Sequence, residues 1–247
     1  MAQKTNDITK IYEKHYNDPK MLAPKRNQAE YFVAKTKLNP PKNIKVFEPG
    51  CGIGILGFYL KNKFKVDVYG MELSKTAIKK AKINGIKIKK GNLNNRWPYK
   101  SNSFDYVVSS QVIEHILDTD NFIKESKRIL KKDGILCIST PNLAAWFNRA
   151  IFIFGYQPFF TEVSNEDKTL GLKFTRLLTK NRDSLGHLRV FTLRALVDLL
   201  EYHGFTILDK KGGEVEYLPS YLKFFDKFFS NFPYLASDLY IVAKKER

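Results

Sequence analysis

The chain has 247 residues, 43% of them apolar and 14% aromatic, enough for one large domain with its own core, which excludes disordered and fibrous classes. Two cysteines, Cys51 and Cys137, are too few for a disulfide framework or a cysteine-built zinc site. The formal net charge of +17 invites an anionic partner, but only nine of the 42 basic residues are arginine, so a lysine-rich background is the preferred reading.

The first 18 residues are polar throughout and do not resemble a signal peptide. No run of about 18 apolar residues offers a spanning helix, so a soluble protein of the reducing cytoplasm is expected. Residues 1–43 read as a helical lid, stopped by Asn39-Pro40-Pro41. A short strand (44–48), a glycine turn and a helix follow. VDVYGMEL (66–73) is a second strand, with Ser74 a plausible cap for the next helix. The lysine run 75–90 reads as a solvated helix face leading into a third strand at 86–90. FDYVVSS (104–110) is a fourth strand, followed by a helix; Lys132-Asp133-Gly134 is a turn before a fifth, 135–140. Strands alternating with helices predict a doubly wound parallel sheet.

Beyond Pro141 the period is lost, and residues 143–186, rich in aromatics and charges, read as an inserted, partly helical cap. Leu193, Leu196, Leu199 and Leu200 then share a helical face, Gly204 is the expected C-cap, and 205–211 and 239–245 are the last strands. The aromatic stretch Tyr217–Tyr234 reads as packing or a dimer surface. A peripheral membrane contact through Phe224, Phe225, Phe228 and Phe229, flanked by Lys223 and Lys227, is the lesser reading.

The strongest chemical signal is Glu48-Pro49-Gly50-Cys51-Gly52-Ile53-Gly54 between strand and helix. Glycine at every second position permits a tight turn that a ligand can approach closely. The spacing is not the G-x-G-x-x-G of dinucleotide sites, nor does a P-loop Lys-Ser/Thr follow. Glu72 ends the second strand 18 residues after Gly54, which sets a carboxylate beside the first turn, in reach of ribose hydroxyls.

These segments resemble the class I S-adenosylmethionine-dependent methyltransferases: EPGCGIG the first motif, GMELS the acidic second, with further likeness in GNLNNRWPYKSNSFDYVVSSQVIEHILD, LKKDGILCISTPN and GHLRVFTLRALVDLLEYHGF. The resemblance implies an α/β, Rossmann-like, seven-stranded sheet of order 3-2-1-4-5-7-6 with the last strand antiparallel. It implies S-adenosylmethionine as cofactor. Gly50, Gly52 and Gly54 then form the turn under the methionine part, Glu48 orients it, and Cys51 is a compact residue within it. Glu72 takes the ribose and Leu73 the adenine, followed by Asn92, standing where an aspartate is usual, and Leu93. Ser109, Ser110 and Gln111 line the methyl-transfer pocket.

Gln111, Glu114 and His115 fall at i, i+3, i+4 and are expected to share one face. Similar ubiquinone-pathway O-methyltransferases and small-RNA 2′-O-methyltransferases carry E-x-x-E-H with a metal; here Gln111 replaces the first glutamate. No metal is therefore expected. His115 or His187, with Glu114, is a candidate general base, and structural roles for Glu114 and His115 are the alternative. The expected reaction is O-methylation of a small molecule, lipid-like intermediate or glycan. RNA 2′-O-methylation and a non-catalytic cofactor-binding protein are the rivals.

Overall fold

The computed structural model describes Tyr16 and residues 26–177, 183–216 and 218–246. Helix α1 (Arg26–Thr36) precedes strand β1 (Lys45–Pro49), helix α2 (Ile55–Phe64), β2 (Asp67–Glu72), α3 (Lys75–Ile83) and β3 (Lys87–Lys90). Then come β4 (Phe104–Ser110), a 3-10 turn at Ile113–His115, α4 (Thr119–Ile129), β5 (Leu130–Pro141) and α5 (Trp146–Ile153). A second 3-10 turn (Lys173–Leu177), α6 (Leu193–Tyr202), β6 (Phe205–Gly213), α7 (Ser220–Phe229) and β7 (Asp238–Lys245) complete the described chain.

The seven strands form one sheet of order β3-β2-β1-β4-β5-β7-β6. β1 to β5 pair in parallel, while β7 runs antiparallel to both β5 and β6. This is the expected doubly wound arrangement. Central strands are covered on both faces and therefore read as near-continuous apolar runs. Phe47, Val107, Leu136, Ile138 and Ile241 join Ile123, Leu196 and Leu200 from α4 and α6 in one core. Val46, Val68, Val108, Cys137 and Tyr240 join Phe32, Val33, Leu56 and Leu60 from α1 and α2 in the other. The lysine run behaves as expected: in α3, Ala77 and Ala81 are buried while Lys75, Lys79 and Lys82 face solvent. Ser74 caps it, its Oγ accepting from Ala77 N at 3.1 Å.

Several boundaries differ from the sequence reading. α1 stops at Thr36, ahead of the proline pair, because Lys37 turns left-handed (φ 50°) and Leu38 N bonds back to Val33 O. The expected turn at 132–134 lies within β5: the register advances from Phe104↔Leu130 to Tyr106↔Ile135, and left-handed Asp133 (φ 61°) takes up the excess residues. Of the expected lid, residues 1–15 and 17–25 lie outside the described residues, as do 178–182 of the expected cap.

The site end of the sheet follows from this topology. β1, β2, β4 and β5 deliver Pro49, Glu72, Ser110 and Pro141 to one edge. Antiparallel β7 begins there too, with Asp238 opposite Pro141. Open α/β sheets bind ligands outside that carboxyl edge.

Candidate active site

Gly50, Gly52 and Gly54 all adopt left-handed backbone, with φ of 64°, 52° and 80°. Any other residue is strained there. Gly50 N and Cys51 N both donate to Met71 O, at 2.8 and 3.3 Å, which laces the turn to the end of β2. A Cβ on Gly52 would lie 2.6 Å from the Tyr16 hydroxyl, so that N-terminal tyrosine lies over the turn. Glu72 is buried at the end of β2. Its Oε2 accepts from Gly52 N at 3.0 Å, and its Oε1 from Leu73 N and Ser74 N at 2.7 and 3.0 Å. The acid of the second strand and the middle glycine of the turn are thus in direct contact.

Glu48 is buried beneath α2, where a Cβ on Gly57 would lie 2.8 Å from its Oε2. That oxygen has no hydrogen-bond partner among the described residues. Burial pushes the carboxyl up to about 8, against the opposing pull of the Gly57 backbone N–H. Cys51 is buried against Gly70, and burial raises its thiol well above the ordinary range, so it is the compact packed residue expected. Leu93 reaches the turn, its Cδ1 3.4 Å from a Cβ built on Gly50. Asn92 instead spends its amide oxygen locally, accepting from Asn94 N at 2.9 Å and Asn94 Nδ2 at 3.1 Å.

Glu114, His115 and His187 come together; Gln111 does not join them. Gln111 is left-handed (φ 55°), so no helical face links it to Glu114, and its side chain turns towards Ser139 Oγ at 3.5 Å. The expectation that Gln111, Glu114 and His115 share one face is corrected on that ground. Ser139 Oγ in turn donates to Ser110 Oγ at 3.2 Å, while Ser109 Oγ is buried without a partner among the described residues.

Glu114 is fully buried, its Oε2 accepting from Thr140 Oγ1 of β5 at 3.0 Å. Its backbone carbonyl accepts from Leu188 N and Arg189 N at 2.7 and 3.1 Å, which fastens the returning chain beside it. Glu114 Oε1 has no hydrogen-bond partner among the described residues. Burial raises this carboxyl, opposed by the neighbouring His115. His115 Nδ1 lies 3.1 Å from Gly186 O. A carbonyl can only accept, so Nδ1 carries a proton, and in the neutral ring the lone pair falls to Nε2. That Nε2 lies 3.9 Å from Glu114 Oε1. The His187 ring centroid is 4.9 Å from that of His115, and its Nδ1 is buried without a hydrogen-bond partner among the described residues. Burial, reinforced by His115, holds His187 down at about 3, so it is neutral at physiological pH. One ligand atom from each of the three residues lies within 4.8 Å of the others. Phe160, left-handed at φ 74°, walls the cluster 5.7 Å from the His187 ring. Bulky residues rarely adopt that backbone, and such strain concentrates at functional sites.

Two contributors carried no sequence signal. Thr140 is one of several small residues ending β5. Glu162, within the expected cap, accepts from Leu185 N at 2.8 Å, Gly186 N at 3.1 Å and the Ser184 hydroxyl. It thereby sets the carbonyl that orients His115.

Known proteins resemble this chain in sequence and in fold. A family model described as a methyltransferase domain matches residues 22–210, so the chain belongs to the methyltransferase domain family. A ubiquinone biosynthesis O-methyltransferase of Pelagibacter ubique is 33% identical over 132 residues, 52% of this chain and 55% of that protein. A probable S-adenosylmethionine-dependent methyltransferase of Mycobacterium tuberculosis is 30% identical over 170 residues, 66% of this chain and 58% of that one. The chain spans little more than half the length of these curated relatives. A SAM-dependent methyltransferase structure from Thermotoga maritima superposes with a TM-score of 0.62 at 20% identity, over 96% of this chain and 99% of that one. Haemonchus contortus phosphoethanolamine N-methyltransferase 2, solved with S-adenosyl-L-methionine, gives 0.59 at 16% identity, over 90% and 53%. At those identities the structural likeness is one of fold. S-adenosylmethionine is the cofactor of this family and of this chain.

Proposed function

We propose that the chain methylates an oxygen of an apolar or ring-containing acceptor, a small molecule or lipid-like intermediate in preference to a glycan, with His115 as the base. The carrying observation is the convergence of Glu114, His115 and His187, one ligand atom of each lying within 4.8 Å of the others, with Glu114 Oε1 and His187 Nδ1 buried without hydrogen-bond partners among the described residues. Two buried polar atoms left without hydrogen-bond partners among the described residues, beside His115, suit a group that arrives with its own hydrogen-bonding atoms, such as the acceptor's hydroxyl. S-adenosylmethionine carries its own leaving group, so the protein supplies chiefly proximity and orientation. The glycine turn holds the methionine part and Glu72 the ribose, with Glu48, Leu73 and Leu93 bounding the pocket. At the far side, His115 takes the hydroxyl proton as oxygen attacks the methyl, and Glu114 neutralises the imidazolium. Neutral His187 and Phe160 shape the acceptor's berth.

The same three atoms favour a second reading. Two imidazole nitrogens and one carboxylate oxygen suit Zn²⁺ better than Mg²⁺, which prefers oxygen ligands. An ion held there would lower the pKa of the acceptor hydroxyl. Labelled methyl transfer into aromatic, lipid, glycan and RNA fractions, with and without chelator, tests both. Base catalysis predicts label in the aromatic or lipid fraction and a rate that survives chelation. Loss of activity restored by Zn²⁺ selects the metal. Label confined to RNA overturns the acceptor class.

A further inference from the structure

Helix α7 is inside out. Its acid is turned inward: buried Asp226 accepts through Oδ1 from Trp146 Nε1 at 3.0 Å and from the Ser237 hydroxyl, and through Oδ2 from Val215 N at 2.8 Å. Its aromatics are turned outward. Tyr221, Phe224, Phe225 and Phe228, at i, i+3, i+4 and i+7, form one exposed stripe, with Phe224 75% exposed. Phe229 turns back, stacking on Trp146 at 5.4 Å, and half-exposed Phe225 borders the same ring at 6.3 Å. Single exposed apolar residues are ordinary, but a stripe of four on a ten-residue helix marks a contact surface. Helix α5, whose Trp146 packs on α7, also exposes apolar side chains. Ile153, seven residues beyond Trp146 and so on the same face of that helix, is 81% exposed, and Phe152 and Phe154 are exposed beside it.

Charge selects the occupant. Lys223 and Lys227 are exposed on α7, and the helix presents no acid outward. Against a second copy of this chain, a two-fold contact would set these lysines near their own images. Against an anionic bilayer the same lysines are attracted, and aromatic rings suit the boundary between headgroups and acyl chains. The Asp226 network meanwhile holds the helix in place without burying its apolar face, as reversible docking requires.

We infer that α7 docks the protein on an anionic membrane surface, with Tyr221, Phe224, Phe225 and Phe228 entering the headgroup boundary and Lys223 and Lys227 meeting the lipid phosphates. The topology gives this a use. α7 connects the carboxyl end of β6 to the start of β7 and so lies at the edge of the sheet that carries the candidate active site. A docked molecule would hold that edge near the bilayer, where apolar acceptors concentrate.

Sedimentation with vesicles of equal parts phosphatidylglycerol and phosphatidylcholine, against phosphatidylcholine alone, tests the inference. The wild type should partition onto the anionic vesicles. Combined Phe224→Ser, Phe225→Ser and Phe228→Ser should weaken partition on the order of 100-fold. Combined Lys223→Gln and Lys227→Gln should weaken it roughly 20- to 30-fold. Both variants should keep wild-type affinity for S-adenosylhomocysteine by calorimetry, which shows that they are folded. Absence of wild-type binding overturns the proposal. So does binding that survives the serine substitutions, which assigns it to diffuse lysine charge, or a wild-type dimer in light scattering that those substitutions dissociate.

Discussion

Glu72 accepts hydrogen bonds from three backbone N–H groups, one of them from the glycine turn. It is a strut for Gly52, and the proposed cofactor site gives it the ribose as well. Glu72→Ala should weaken S-adenosylhomocysteine by about 10- to 100-fold in calorimetry, the loss of charge-assisted hydrogen bonds worth roughly 1.5–3 kcal/mol. Unchanged affinity would remove Glu72 from the site. Glu48 has a different signature. Its folded pKa of about 8 lies above the ordinary 4.5, so the folded state holds a proton that the unfolded chain releases between those values. Its contribution to stability is full below pH 4.5 and is lost as pH rises through 8. Glu48→Gln, neutral at every pH, should melt several degrees above wild type at pH 8 and show little difference at pH 4.5. A constant offset across that range would contradict the assignment. At this scale the cofactor turn was legible because glycine spacing and an acid at a strand end have few other uses. Asn92 was less so: a sequence shows an available amide oxygen, not the nearby Asn94 that occupies it.

Among the elements, the segment returning from residues 143–186 orders the cluster of Glu114, His115 and His187, the proposed acid–base site. Glu162 holds the 184–186 turn, the Gly186 carbonyl fixes the His115 tautomer, and His187 follows directly. Glu162 is a positioning residue. Glu162→Ala should lower kcat roughly ten-fold or more while leaving S-adenosylhomocysteine affinity unchanged. Glu162→Gln, which keeps one acceptor oxygen, should recover part of the rate. Equal kcat in both variants would leave the turn without influence on His115. Helical period identified α6, where Leu193, Leu196 and Leu200 are buried and Leu199 packs at the edge of the core. It could not identify the role of α7, whose aromatic stripe has the same spacing as a core-facing one. What separates the two is the direction that Asp226 imposes, and that depends on Trp146, 80 residues away. Gln111 shows the same limit: i, i+3, i+4 spacing implies a shared face only where the backbone is helical, and one left-handed residue cancels it.

For the whole molecule, alternating strands and helices indicated a doubly wound sheet, while the crossing of β7 between β5 and β6 came only through family likeness. The antiparallel direction of β7 leaves no periodic trace, because residues 239–243 are an apolar run like those of the parallel strands. The excess of lysine is spread over solvated faces such as that of α3, consistent with a background composition. No helix among the described residues is long and apolar enough to cross a membrane. The proposed function puts the cofactor at the glycine-turn half of the sheet edge and the chemistry at Glu114, His115 and His187. The decisive measurement is the rate of labelled methyl transfer by His115→Ala, with its affinity for S-adenosylhomocysteine measured on the same protein. The base assignment predicts a fall of about 10²-fold or more in rate with affinity unchanged. A rate near that of the wild type would contradict it and leave orientation alone as the source of catalysis.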